Sequence, residues 1–88
     1  MRIIWDDEKN RKLILKRGLS FEKFAELVLE KKYHIILKNP SRTEQKIFVI
    51  PFQNYTYAVP FIIDDNKNIV LKTAFPSRKY HKIYGGKK

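Results

Sequence analysis

The order of apolar patterns along the chain predicts an α+β domain, with two N-terminal helices packed on an antiparallel sheet of about four strands. Phe21, Phe24, Ala25, Val28 and Leu29 fall at i, i+3, i+4, i+7 and i+8, one continuous apolar face at helical spacing. From Tyr33 onward the apolar residues are instead mostly β-branched or aromatic, in short runs separated by polar turns. The chain has 88 residues, 43% of them hydrophobic and 14% aromatic. That is enough for one packed core and one domain, residues 1–88.

Ile3-Ile4-Trp5 suits a strand or a buried N-terminal segment. Asp6 or Asp7 then offers a helix N-cap, and acids in a first helical turn suit the helix dipole. Glu8 to Arg17 is rich in helix formers, and Gly18 is placed to end the helix. Ser20 caps the second helix, whose apolar face needs another layer to cover it. Strands are predicted over Tyr33–Leu37, Lys46–Phe52, Tyr55–Ile63 and Ile69–Phe75, joined by polar turns such as Asp64-Asp65-Asn66-Lys67-Asn68. Pro51 and Pro60 lack a ladder donor, so bulges or edge positions are expected there.

There is no cysteine, which excludes a disulfide framework and thiolate metal sites. Early acids and the lack of a long apolar run point away from a secretory signal or a membrane span, so a cytoplasmic protein is expected. Nineteen Lys and Arg face nine Asp and Glu, for a net charge of +10. Such a balance favours a polyanionic partner. Residues 1–65 hold twelve of the bases and all nine acids, whereas residues 66–88 hold seven bases and no acid. Residues 85–88 are expected to be a flexible basic tail.

Within the basic quarter, Lys72, Arg78, Lys79, Tyr80, His81, Lys82 and Tyr84 interleave cations with aromatics. Lys72 has the opposite strand parity to Ile69, Leu71, Thr73 and Phe75. With those four packed under the helices, Lys72 points to the open face of the sheet. An arginine fork such as that of Arg78 can hold two phosphate oxygens, and a lysine adds a point charge. Tyr80 and Tyr84 share a face of a terminal helical turn, where each could stack on an unpaired base or simply cap the core. His81 brings an imidazole, the side chain best suited to moving a proton near neutral pH.

These parts suffice for metal-independent RNA cleavage, so Arg78, Lys72, His81 and Tyr80 are the catalytic candidates. Lys79, Lys82, Tyr84, Arg42, Lys16 and Arg17 are the RNA-binding candidates. Lys9, Lys12 and Lys16 recur at helical spacing beside Arg17, a basic helix side that a solvated face also explains. The two histidines, 47 residues apart, and the turn acids Asp64-Asp65 offer no ligand spacing, so neither metal nor cofactor is expected.

Trp5-Asp6-x-x-Lys9, followed by Lys16-x-Gly18-x-x-Phe21-Glu22, resembles the N-terminal block of the BrnT family of type II toxins, relatives of the RelE-like ribonucleases. The tail from Lys72 to Lys79, ahead of Tyr84, is loosely similar to the family's C-terminal segment. Arg17 stands where that family has histidine before the glycine, and Leu13 where it has asparagine. The arginine opening its tail segment aligns with Thr73, or with Lys72 after a one-residue slip. The resemblance implies a compact antiparallel sheet with helices on one side and ribonuclease activity that arrests translation. It also implies a small ribbon-helix-helix antitoxin, through which alone the complex would contact DNA. Without catalysis, the same basic face would serve as a nucleic-acid-binding module or as the receptor for an acidic antitoxin.

Overall fold

A computed structural model describes residues 2–85, and the class is the predicted one, α+β. The final three residues of the expected basic tail lie outside the described residues; Gly85 closes a helical turn. Strand β1 (Ile3–Trp5) leads into helices α1 (Asp7–Arg17) and α2 (Phe21–Leu29). Then follow β2 (Ile35–Lys38), β3 (Lys46–Phe52), β4 (Tyr55–Ile63), β5 (Ile69–Leu71) and β6 (Phe75–Pro76). The described chain ends in a short helix α3 (Arg78–Tyr80) that continues as a π-helical turn, His81–Gly85. No helix among the described residues is long and apolar enough to cross a membrane.

The sheet has six strands rather than about four, and it is mixed rather than purely antiparallel. Its order is β1-β5-β4-β3-β2, with β6 also on β4. Ile3, Ile4 and Trp5 run parallel to Ile69, Val70 and Leu71. The other pairings are antiparallel. The extra strands arise because the N-terminal apolar run covers the open edge of β5, and because the last predicted strand is broken in two.

That break is a bulge. Phe61 pairs with Leu71 and Ala58 with Phe75, so Val59 and Pro60 face three residues, Lys72 to Ala74. An extra residue shifts the alternation of side chains by one. Leu71 and Ala74 are therefore buried under the helices, each 1% exposed, and Ile69 packs against the same core as expected. The expectation for Thr73 and Phe75 is corrected: both are exposed. Pro60 accounts for the position of the bulge. Its carbonyl accepts from the Lys72 N–H at 2.8 Å, so its backbone faces the broken strand, and proline has no N–H to complete the ladder there. Pro51 lies one strand over, beyond the last β2 pairing at Ile35, where no ladder bond is asked of it.

Both faces of the sheet are covered, by different elements. On one face α1 and α2 pack Leu13, Phe21, Phe24, Leu27 and Val28 over Phe48, Ile50, Val59, Phe61 and Leu71. Phe24 has no exposed surface and its ring centroid lies 5.5 Å from that of Phe52 and 5.6 Å from that of Tyr57. Burial of one such ring stabilises the fold by about 1.5–3 kcal/mol. On the other face, Tyr80 and Tyr84 from the terminal helix pack over Ile47, Val49 and Ala58.

The helices begin at their predicted caps. Asp6 accepts from the N–H groups of Glu8 and Lys9 at 2.8 and 3.1 Å. Ser20 accepts from Lys23 N–H at 3.3 Å. Gly18 ends α1 at φ +66°, a left-handed conformation that favours glycine. Asn10, only 7% exposed, ties the two helices together. Its Oδ1 accepts from the Phe21 N–H and its Nδ2 donates to Glu22 Oε1, both at 2.8 Å.

Candidate functional site

The bulged strand lies at a free edge of the sheet, because β1 accompanies it only as far as Leu71. Bulges at sheet edges commonly re-aim side chains toward functional sites. Two open grooves flank this edge, of about 590 and 530 Å³, and both are lined by Lys9, Lys72, Thr73 and Phe75. The first continues over the second face of the sheet to Arg42, Gln45, Lys79 and Tyr80. The second continues along α1 to Lys12, Lys16 and Arg17.

Among the described residues, the grooves together hold seven cationic side chains, Lys9, Lys12, Lys16, Arg17, Arg42, Lys72 and Lys79, and no acidic one. Like charges placed so close repel one another, and a bound polyanion relieves that repulsion. The local folding explains how each arrives. The carboxylate of Asp6, held below its usual range by the N–H groups of Lys9 and Glu8, starts α1 so that positions 9, 12 and 16 form one stripe. Arg42 sits in the β2–β3 turn, closed by Asn39 N–H to the Gln45 carbonyl at 3.1 Å and by Gln45 N–H to the Arg42 carbonyl at 2.9 Å. Ser77 is buried and caps α3, accepting from Tyr80 N–H at 3.1 Å, while its own N–H donates to the Thr56 carbonyl at 2.9 Å. This fixes the start of the helix that carries Lys79 and Tyr80.

Of the candidate residues, Lys72, Tyr80, Lys79, Arg42, Lys16 and Arg17 meet around this edge. Tyr80 does two things at once, capping the apolar patch on Ile47, Val49 and Ala58 and lining the groove, with Lys79 Nζ 5.7 Å from its ring centre. Arg78 is exposed at the start of α3 and lines neither groove. Among the described residues it forms no ion pair with Glu44 or with an acid of α1. Lys82 is exposed on the π-helical turn, outside both grooves. Tyr84 packs inward and stacks on His34 at 6.0 Å.

His81 lies in a separate polar pocket with His34, Asn54, Tyr55 and Thr56. Its Nδ1 is 2.9 Å from Thr56 Oγ1 and its ring stacks on Tyr55 at 4.2 Å. Gly85 approaches it so closely that a Cβ there would strike the imidazole and stand 2.7 Å from Thr56 Oγ1. His81 thus fastens the terminal helix to β4, and it does not share a groove with Lys72. Lys9 and Lys12, which helical spacing groups with Lys16 and Arg17 as a basic helix side, line the grooves as well. Thr73 enters through the bulge, which no local pattern announces.

Comparison with known proteins places this geometry. No protein-family model and no curated protein sequence matches the chain. Among solved structures, the crystal structure of the ribonuclease toxin BrnT from Brucella abortus superimposes with a TM-score of 0.64. The two are 24% identical, over 88% of this chain and 96% of that one. The chain has the BrnT fold, with α1 and α2 on one side of the sheet as the resemblance implied; the sheet is mixed rather than antiparallel, and the terminal helix packs on its other face.

Proposed function

We propose that this protein is a BrnT-like toxin that binds RNA in the cleft around the bulged edge and cleaves it without a metal ion. The observation that carries this reading is the union of seven cations and no acid in two adjoining grooves, on a chain with the fold of a ribonuclease toxin. Lys72, Lys79 and Arg42 hold the phosphate, and the stripe on α1 carries the flanking strand. Cleavage proceeds by removal of the ribose 2′-OH proton and attack of that oxygen on the adjacent phosphorus. The 5′ oxygen leaves with a proton, and a cyclic phosphate remains. Lys72 offsets the charge that builds on the phosphorane. Tyr80 is the proton carrier, since a phenol can both give and accept a proton and this one lines the groove. Arg78 and Lys82 extend the positive field at the rim, Tyr84 supports the terminal helix, and His81 acts through the position of that helix.

The expected setting is the cytoplasm, with a small antitoxin as partner, of ribbon-helix-helix type, through which the complex would reach DNA. A second reading, a module that binds RNA without cutting it, is favoured by one feature: among the described residues no histidine or carboxylate side chain lines the cleft. Purified protein incubated with bulk RNA in EDTA separates the two. Cleavage lost in Lys72→Gln and in Tyr80→Phe, with folding unchanged, is the expected result. RNA that stays intact yet bound would sink the catalytic reading and leave the binding one.

A further inference from the structure

The helices leave part of their own face of the sheet uncovered. Past the end of α2 an open groove of about 740 Å³ crosses all five strands of the main sheet. Its floor runs from Ile36 on β2 through Phe48, Phe61 and Ile69 to Ile3 and Trp5 on β1, and Val28 and Leu29 form a wall. Phe48 and Phe61 stack at 4.2 Å along the floor. Leu29, Ile63 and Ile36 are 73%, 47% and 41% exposed, a contiguous apolar surface of the kind that marks a binding site. The rim carries Arg2, Lys31 and Lys46, and among the described residues no acidic side chain lines the groove.

We infer that this groove docks an amphipathic helix of a partner protein, apolar on one side and acidic along its flanks. The length fits. Five strands set four spacings apart span about 19 Å, which is about 13 residues of helix, or three to four turns of apolar anchors. The charge selects the occupant. A second copy of this chain would set Arg2, Lys31 and Lys46 against their own counterparts on a surface of net charge +10, whereas glutamates flanking an apolar stripe pair with all three. The concave shape also disfavours a membrane, which is entered by protruding apolar side chains. The inference rests on the toxin reading only in expecting a protein partner. The groove lies on the helix-covered face and shares no lining residue with the basic cleft.

Trp5 is the single tryptophan of the chain and lines the groove, so its fluorescence reports on occupancy. The probe is a synthetic helix of about 18 residues, long enough to be helical, with a leucine stripe flanked by glutamates. Its control has lysine for each glutamate. The expected result is a saturable change in Trp5 emission with the acidic helix and none with the basic one. Leu29→Gln and Lys46→Glu, both at exposed positions, should each weaken binding about tenfold while circular dichroism and melting stay as in the parent. Lys72→Gln should bind the helix as the parent does, so loss of ribonuclease activity and loss of docking are separable. Equal binding of both helices, or none, would overturn the inference. So would a dimer of this chain that Leu29→Gln dissociates, or anionic phosphatidylserine vesicles that shift Trp5 as strongly as the helix.

Discussion

If RNA lies in the cleft, the affinity should carry the signature of the charges counted there. Each phosphate neutralised on a single strand releases counterions, and the logarithm of the binding constant falls with the logarithm of salt by about 0.7 per contact. Seven cations line the two grooves. If all are engaged, the slope is about −5, and a fourfold rise in salt weakens binding about a thousandfold. Lys72→Gln keeps much of the side chain and removes one charge, so the slope should become shallower by about 0.7. Lys82→Gln removes the same charge outside both grooves and should leave the slope near its parent value. Fluorescence anisotropy of a labelled single-stranded RNA, titrated over a range of salt concentrations, gives both numbers. A parent slope shallower than about −2, or equal effects of the two substitutions, would refute the placement of RNA in this cleft.

Three other outcomes follow from the packing and electrostatics. Asn10→Ala leaves the buried N–H of Phe21 without its acceptor and should cost about 1–3 kcal/mol, read from the urea midpoint. Gly85→Ala drives a methyl group against His81 and Thr56; the expected loss is about 1–3 kcal/mol, with changed NMR shifts of the His81 ring. Asp64 caps the β4–β5 loop, and its carboxyl is held below its usual range, chiefly by the N–H of Asn68 and then by the Asn68 side chain and Asn66 N–H. A lowered folded-state pKa means that the stabilisation is complete above the ordinary carboxylate range and is lost as pH falls through the lowered value. An NMR titration of the Asp64 carboxyl should therefore show a midpoint below the ordinary aspartate value, with Asn68 amide protection lost on the acid side of it.

What was legible in the sequence is what local chemistry decides. α2 was plain because five apolar residues repeat at helical spacing, and Lys46–Phe52 and Tyr55–Ile63 are strands with the predicted ends. The proline effects were foreseen in kind, although at Pro60 the bulge appears in the facing strand rather than at the proline itself. Pairing between distant segments was not legible. Ile3-Ile4-Trp5 reads as an apolar run whatever its partner, and nothing local says that the partner is β5 or that the pairing is parallel. The site was half visible for the same reason. Lys72, Lys79 and Tyr80 could be chosen from charge and spacing, but which groove each enters depends on the bulge and on the face that α3 covers. The contacts of His81 with Thr56 and Tyr55 likewise join segments far apart in the chain, and no local pattern announces them.

The parallel pairing of β1 with β5 also bears on the order in which a chain made from its N-terminus can fold. Ile3 meets Ile69 across most of the sequence, so the first strand must wait, unpaired, until β5 has been synthesised. The cleft waits longer still. One bank of it is α1, complete early, and the other is assembled from Lys72 to Tyr80, which come last. A nascent chain that stops short of the bulge lacks one of the two banks of the cleft. The cleft is thereby a late product of folding, since it needs the segment from Lys72 to Tyr80 in place against α1.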